Sequence, residues 1–111
     1  INKMATEETI QEIQTLEQNL QNILMQKQAF EMELSETKSS LDEIKNSKDE
    51  VYKLIGQVMI KTKKEKIQEE LENKNKIIEL RVKAIQKQEN FLREKLEKMK
   101  EEFLKDRESN S

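Results

Sequence analysis

A heptad repeat of apolar residues in the first half of the chain constrains its fold more than any other feature. Between residues 13 and 44 the +3/+4 spacing never slips, and only Lys27 and Thr37 depart from apolar character. The a positions are Ile13, Leu20, Lys27, Leu34 and Leu41, and the d positions are Leu16, Ile23, Phe30, Thr37 and Ile44. A repeat of this length is typical of a coiled coil. It predicts a first helix over about residues 6–45, with Thr6 as its N-cap.

The periodicity changes after a polar break at residues 46–49. The segments 51–55 and 57–62 are rich in residues that favour strands, and they flank Gly56, the one glycine of a chain that has no proline. Two such runs around a glycine predict a β-hairpin over about residues 51–61. Gly56 can adopt a positive φ without penalty, so we expect it at the bend.

A second helix is predicted over about residues 63–105. Thr62 and Glu65 match a capping box at its start. Its d positions are Leu71, Ile78, Ile85, Leu92 and Met99, and its a positions are Gln68, Asn75, Val82, Glu89, Leu96 and Phe103. This seam is more polar than the first. The two helices are of similar length, which predicts a single, mostly α domain over residues 1–111: an antiparallel coiled-coil helical hairpin with a short β-hairpin at the bend.

Composition excludes several classes of function. Charged residues make up 40% of the chain, yet the net charge is only −2, so no field of one sign attracts nucleic acid or a lipid surface. The chain has no His and no Cys, which removes the commonest general base and the commonest soft metal ligands. No phosphate-cradling glycine-rich loop is present. We therefore predict no catalytic residues, no cofactor and no metal, and a cytoplasmic protein without a membrane span.

An isolated two-stranded hairpin is marginally stable in water, and its open edges can pair with other chains. The middle segment therefore predicts an oligomer that assembles through the strands. The residues expected to carry this assembly are Val51, Leu54, Gly56, Val58 and Ile60.

Three segments resemble the β-class subunits of the prefoldin family. They are Tyr52–Thr62 (YKLIGQVMIKT), Arg81–Glu89 (RVKAIQKQE) and Met25–Gln28 (MQKQ). Only one strand pair separates the helices, whereas the α-class of the family carries a second hairpin. The resemblance covers nearly the whole chain, and the order of helix, strand pair and helix makes it specific.

The resemblance implies an ATP-independent chaperone. The strands of α-class and further β-class subunits would form the β-barrel body of a heterohexamer, and the helical hairpins would project from it. Their tips would capture unfolded client proteins and pass them to a cytosolic group II chaperonin. Apolar residues near the two chain ends are the candidate client-binding residues: Met4, Ile10, Met99, Phe103 and Leu104.

Two alternatives remain open from the sequence. A second apolar stripe on the later helix, formed by Ile77, Leu80, Ala84 and Phe91, fits a local register shift, a contact with the body or a neighbouring subunit, or a client-facing wall. The whole chain also fits a coiled-coil scaffold that dimerises with a dedicated partner. A scaffold has no need of strands at residues 51–62, so the middle segment separates these two functions.

Overall fold

A computed structural model describes residues 3–48 and 50–109, with side chains described for residues 6–48 and 50–108. The elements in chain order are helix α1 (Lys3–Lys45), strand β1 (Glu50–Ile55), strand β2 (Val58–Lys63) and helix α2 (Lys64–Ser109). The predicted fold class, a mostly helical chain with an antiparallel β-hairpin between two long helices, is confirmed. Among the described residues, neither helix is long and apolar enough to cross a membrane.

The heptad assignment holds in both helices. Every residue assigned to an a or d position is buried or half-buried, including the polar residues Lys27, Thr37 and Glu89. The most completely buried apolar side chain is that of Ile78, at a d position of α2. The seam of α2 is the more polar of the two, yet its observed heptad positions are those predicted from its apolar residues.

The chain divides into two compact units, each containing part of both helices. The terminal unit comprises Ile1–Gln28 and Ala84–Ser111, and the strand unit comprises Ala29–Lys83. In the terminal unit, Leu16, Leu20 and Leu96 form a buried cluster, against which further seam residues pack: Ile13, Leu24, Leu92 and Met99. The helices run antiparallel here, because Glu17 pairs with Lys100 and the later Lys27 pairs with the earlier Glu89.

In the strand unit, helix α1 ends at the predicted polar break. The Ser47 hydroxyl donates to the carbonyl of Ile44 at 2.7 Å, and the Lys64 ammonium donates to the carbonyls of Lys45 and Ser47 at 3.0 Å. The bonds to Ile44 and Lys45 satisfy carbonyls that a helix end leaves without intrahelical partners. A cation from the start of α2 thereby ties the two helices together beside the strands.

Helix α1 starts three residues before its predicted start at about residue 6, and helix α2 starts one residue after its predicted start at about residue 63, so both predicted N-caps were wrong. Helix α1 begins at Lys3, so Thr6 lies inside it and is not the N-cap, because the preceding residues are themselves compatible with helix. Helix α2 begins at Lys64 and not after a capping box at Thr62. Thr62 instead pairs with Val51, since the strand ladder continues as far as the Glu50–Lys63 pair. Helix α2 also extends to Ser109, beyond the predicted end at about residue 105.

The two strands pair in a register that leaves Gly56 and Gln57 as a two-residue connection between Ile55 and Val58. Gly56 has a φ of 60°, and no other described residue has a positive φ. A positive φ at the first central residue alone is the sign pattern of a type II′ turn, which matches the twist of paired strands. The expectation of a left-handed glycine at the bend is confirmed.

Candidate binding surfaces

An open apolar cavity of about 350 Å³ lies near the chain ends in the terminal unit, and we call it the terminal cavity. Its lining residues are Ile10, Ile13, Gln14, Glu17, Lys100, Phe103 and Leu104. Ile10 and Leu104 fall outside the a and d positions and keep 40% and 56% of their surfaces exposed. The helices therefore bring together three of the predicted client-binding residues, Ile10, Phe103 and Leu104, around one concave surface.

Two charged contacts border the terminal cavity. Glu17 and Lys100 lie 3.9 Å apart, and both side chains are about half exposed, so their attraction is weak. The guanidinium of Arg107 lies 5.8 Å from the centroid of the Phe103 ring, within the range of a cation–π contact. Arg107 therefore covers one face of the aromatic ring, and the side chains of Ile10 and Leu104 are the more accessible apolar groups.

Of the two remaining predicted client-binding residues, Met99 does not line the terminal cavity. Met99 is half-buried and packs against the cluster of Leu16, Leu20 and Leu96. Its side chain therefore contributes to the helix seam. Met4 belongs to helix α1, but its side chain lies outside the described residues.

The strand unit exposes apolar side chains on both faces of its two-stranded sheet. Directly paired residues share a face, so Tyr52, Leu54 and Met59 lie on one face and Ile55, Val58 and Ile60 on the other. All six are among the exposed large apolar residues. Of the predicted assembly residues, Leu54, Val58 and Ile60 are exposed, Gly56 forms the turn and Val51 is half-buried. Tyr52, Ile55 and Met59 are similarly exposed but are not among the predicted assembly residues.

The two faces of the sheet differ in how open they are. On the face of Ile55, Val58 and Ile60, the Lys53 ammonium lies 3.0 Å from a carboxylate oxygen of Glu70 on helix α2. Val51 and Thr62 on this same face are half-buried. On the face of Tyr52, Leu54 and Met59, Glu50 and Lys61 form an exposed ion pair at 2.9 Å.

The outer edges of both strands remain unpaired within the described chain, which contains a two-stranded sheet.

A buried charge network interrupts the seam of the terminal unit. The Lys27 ammonium donates to Glu89 Oε1 at 2.9 Å, and Arg93 Nε donates to Glu89 Oε2 at 2.8 Å. The Glu89 side chain is only 8% exposed. The hydrogen bonds from Arg93 and then from Lys27 lower the pKa of Glu89, outweighing burial, which acts in the opposite direction. The sequence places Lys27 and Glu89 at a positions, but the heptad alone does not say that they meet.

Comparison with known proteins identifies the family. A family model described as "Prefoldin subunit" matches residues 7–107. The chain belongs to the prefoldin family. The match includes both helices and the strand pair, so the family likeness covers the terminal cavity as well as the exposed sheet.

Individual prefoldin subunits show the same likeness. The chain is 37% identical over 87 residues to the prefoldin subunit beta of Sulfurisphaera tokodaii, covering 77% of this chain and 70% of that one. It is 39% identical over 90 residues to the prefoldin subunit beta of Thermococcus kodakarensis, covering 79% and 77% of the two chains. The crystal structure of the prefoldin beta subunit from Thermococcus strain KS-1 matches with a TM-score of 0.85 and 35% identity over 89% of each chain. The predicted resemblance to β-class prefoldin subunits is confirmed.

Proposed function

We propose that the chain is a subunit of an ATP-independent molecular chaperone that captures unfolded proteins. It assembles with α-class and further β-class prefoldin subunits into a heterohexamer in the cytoplasm, and it delivers its clients to a group II chaperonin. Membership of the prefoldin family supports the chaperone role and the assembly with other subunits. The chain performs this role by binding and not by catalysis.

The observation that carries the proposal is that each of the two units exposes apolar side chains that its own packing leaves free. The sheet of the strand unit offers unpaired edges and apolar faces, which suit assembly with the strands of other subunits. The terminal cavity offers Ile10 and Leu104, which the helix seam does not use. A chaperone that holds unfolded chains needs apolar surface that its own folding leaves free, and an open, shallow cavity accepts varied side chains.

The client-binding role is tested by light scattering, which measures how far the assembly suppresses the aggregation of an unfolded enzyme on dilution. The assembly containing the chain is compared with one carrying Ile10→Gln and Leu104→Gln. Glutamine keeps the helix propensity and removes apolar surface, so we expect roughly tenfold more of the variant to be needed for the same suppression. Native mass should stay the same, because neither residue lies in the sheet.

The control is Met25→Gln, which removes an apolar side chain that is 68% exposed, more than Ile10 or Leu104, and that does not line the terminal cavity. Its suppression of aggregation should equal that of the unmodified chain. If the unmodified assembly does not suppress aggregation, the proposed chaperone function is wrong. If Ile10→Gln with Leu104→Gln and the control suppress equally well, clients bind elsewhere.

A further inference from the structure

A second apolar cavity lies beside Phe91 in the terminal unit, and we call it the Phe91 cavity. Its volume is about 350 Å³, and it is lined by Ile23, Lys87, Gln88, Phe91 and Leu92. Ile23 and Leu92 are half-buried seam residues that contribute its apolar floor. Phe91 occupies a c position outside the seam and keeps 65% of its surface exposed. An aromatic side chain this exposed contributes little to the folding of its own chain, so it is free to contact another one.

The Phe91 cavity is separate from the terminal cavity. The two share no lining residue. On helix α2, the terminal cavity uses Lys100 and Leu104, at e and b positions, whereas the Phe91 cavity uses Gln88 and Phe91, at g and c positions. Positions b and e lie on one side of the a/d seam and positions c and g on the other. The terminal unit therefore presents an apolar cavity on each flank of its helix pair.

The two cavities differ in charge. Lys100 at the terminal cavity is paired with Glu17. Lys87 at the Phe91 cavity forms no ion pair with any carboxylate of the described residues. Lys87 precedes Phe91 by four residues, which places the two side chains next to each other on the helix surface, with about 6 Å between their Cβ atoms. The Phe91 cavity thus combines an apolar floor, an exposed ring and an unneutralised ammonium group.

We propose that the Phe91 cavity binds segments of unfolded polypeptide in which an apolar side chain is followed or preceded, two residues away, by Asp or Glu. This inference rests on the proposed chaperone function and adds a client preference to it. In an extended chain, residues two apart point to the same side and lie about 6.4–6.8 Å apart. That spacing is close to the roughly 6 Å between the Cβ atoms of Phe91 and Lys87. The apolar side chain would enter the cavity while the carboxylate meets the Lys87 ammonium.

Fluorescence anisotropy with three labelled peptides tests this preference on the assembled full chain. All three peptides carry the same central Leu. The first has Glu two residues from this Leu, the second has Glu one residue from it, and the third has Lys two residues from it. We expect the first peptide to bind about two- to fivefold more tightly than the third, the range of an exposed ion pair. Glu one residue away points to the opposite side of the peptide, so its peptide should bind with an intermediate Kd.

Two pairs of variants, each with its control, test the roles of the Lys87 charge and of the Phe91 ring. Lys87→Glu should reverse the preference between the Glu and Lys peptides, whereas Lys66→Glu, which changes the net charge equally in the strand unit, should leave it unchanged. Phe91→Gln should weaken all three peptides about tenfold through the loss of apolar contact. Met25→Gln should leave all three affinities unchanged.

The outcomes separate this inference from the proposed function. Unchanged peptide affinities in Phe91→Gln and Lys87→Glu overturn the inference, while the chaperone function stands if the assembly still suppresses aggregation. A lower native mass in Phe91→Gln also overturns it, since the cavity would then be an interface between subunits. If the unmodified assembly neither binds the peptides nor suppresses aggregation, both the inference and the proposed function are wrong.

Discussion

Gly56 is the residue whose backbone geometry is most demanding. Its φ of 60° lies in the left-handed region, and a Cβ atom added there would meet no heavy atom within 4 Å. Space is therefore available for a side chain, and any cost of substitution comes from the backbone alone. Residues with a branched Cβ are the least compatible with this region, whereas Asn tolerates it.

Replacing Gly56 with Val should lower the stability of the strand unit by about 1–2 kcal/mol or more, and replacing it with Asn should cost distinctly less. Thermal unfolding followed by circular dichroism measures both effects. A loss that is the same for Val and Asn would mean that the left-handed conformation does not determine stability at this turn.

At the residue scale, alternation and spacing in the sequence predicted the exposure of side chains better than they predicted the contacts of those side chains. Leu54, Val58 and Ile60 are exposed as an assembly role requires. Met99, in contrast, lies near the chain end like the other predicted client-binding residues, but it packs into the seam. Proximity in sequence does not report which side of a helix faces the partner helix, and the d position of Met99 was the better guide.

At the scale of the helices, the Lys27–Glu89 pair is the feature that aligns α1 with α2 in the terminal unit. A polar residue at an a position specifies register at a cost in stability, because it is satisfied only when its partner is opposite. A shift of one helix along the other would leave Glu89 buried with only Arg93 and Gln86 of its own helix as donors, and Lys27 among apolar seam residues. The charge network therefore selects one alignment of two otherwise repetitive seams.

Replacing Lys27 with Met should destabilise the terminal unit by about 1–3 kcal/mol. The cost should lie below that of breaking a fully buried ion pair, because Lys27 is 23% exposed and Arg93 still bonds to Glu89. The double replacement Lys27→Met with Glu89→Leu should recover most of the loss, since apolar residues at both positions continue the seam. Chemical denaturation of the single and double variants measures these differences. A double variant no more stable than Lys27→Met would show that the pair itself contributes net stability.

The same pair predicts a dependence of stability on pH. The pKa of Glu89 is lowered in the folded chain relative to its ordinary value of 4.5. A carboxyl group with a lowered pKa stabilises the folded state above its unfolded pKa, and this contribution is lost as the pH falls through the folded pKa. The difference in unfolding free energy between the unmodified chain and Glu89→Gln should thus be constant near neutral pH and shrink below about pH 4.5. A difference independent of pH down to pH 3 would exclude this role of the Glu89 charge.

At the scale of the whole molecule, the described chain leaves a two-stranded sheet with apolar side chains exposed on both faces. Such a sheet is marginal by itself in water. Pairing with the strands of other subunits would cover its edges and one or both faces. The assembly and the stability of the strands are therefore expected to depend on each other.

Replacing both Val58 and Ile60 with Asp should reduce the native mass to that of smaller species while most helical circular dichroism remains. The carboxylates would have to be buried against neighbouring strands, which costs several kcal/mol per charge without a partner. The control, Ser35→Asp with Ser39→Asp, adds the same charge on the exposed surface of α1 and should leave the mass unchanged. An unchanged mass in the Val58 and Ile60 variant would contradict assembly through the sheet and favour a scaffold that associates through its helices.

The sequence by itself determined the two helices, their seams and the strand pair, because each depends on local periodicity. Apolar residues at +3/+4 spacing define the buried side of a helix wherever it packs, and a single glycine between strand-forming residues defines the turn. The N-caps of the helices were the exception. At Thr62 a capping box and a strand ladder competed for the same residue, and pairing with Val51, which local sequence does not reveal, prevailed.

Only the tertiary structure decided which residues meet across the seam. A heptad repeat looks the same after a shift of seven residues, so it does not say that Lys27 lies opposite Glu89. The same holds for the two cavities. Ile10 and Leu104 line one cavity, and Ile23 and Phe91 line the other, only because α1 and α2 are aligned in this way. Their lining comes from both helices, and the alignment depends on pairwise contacts between residues far apart in the chain.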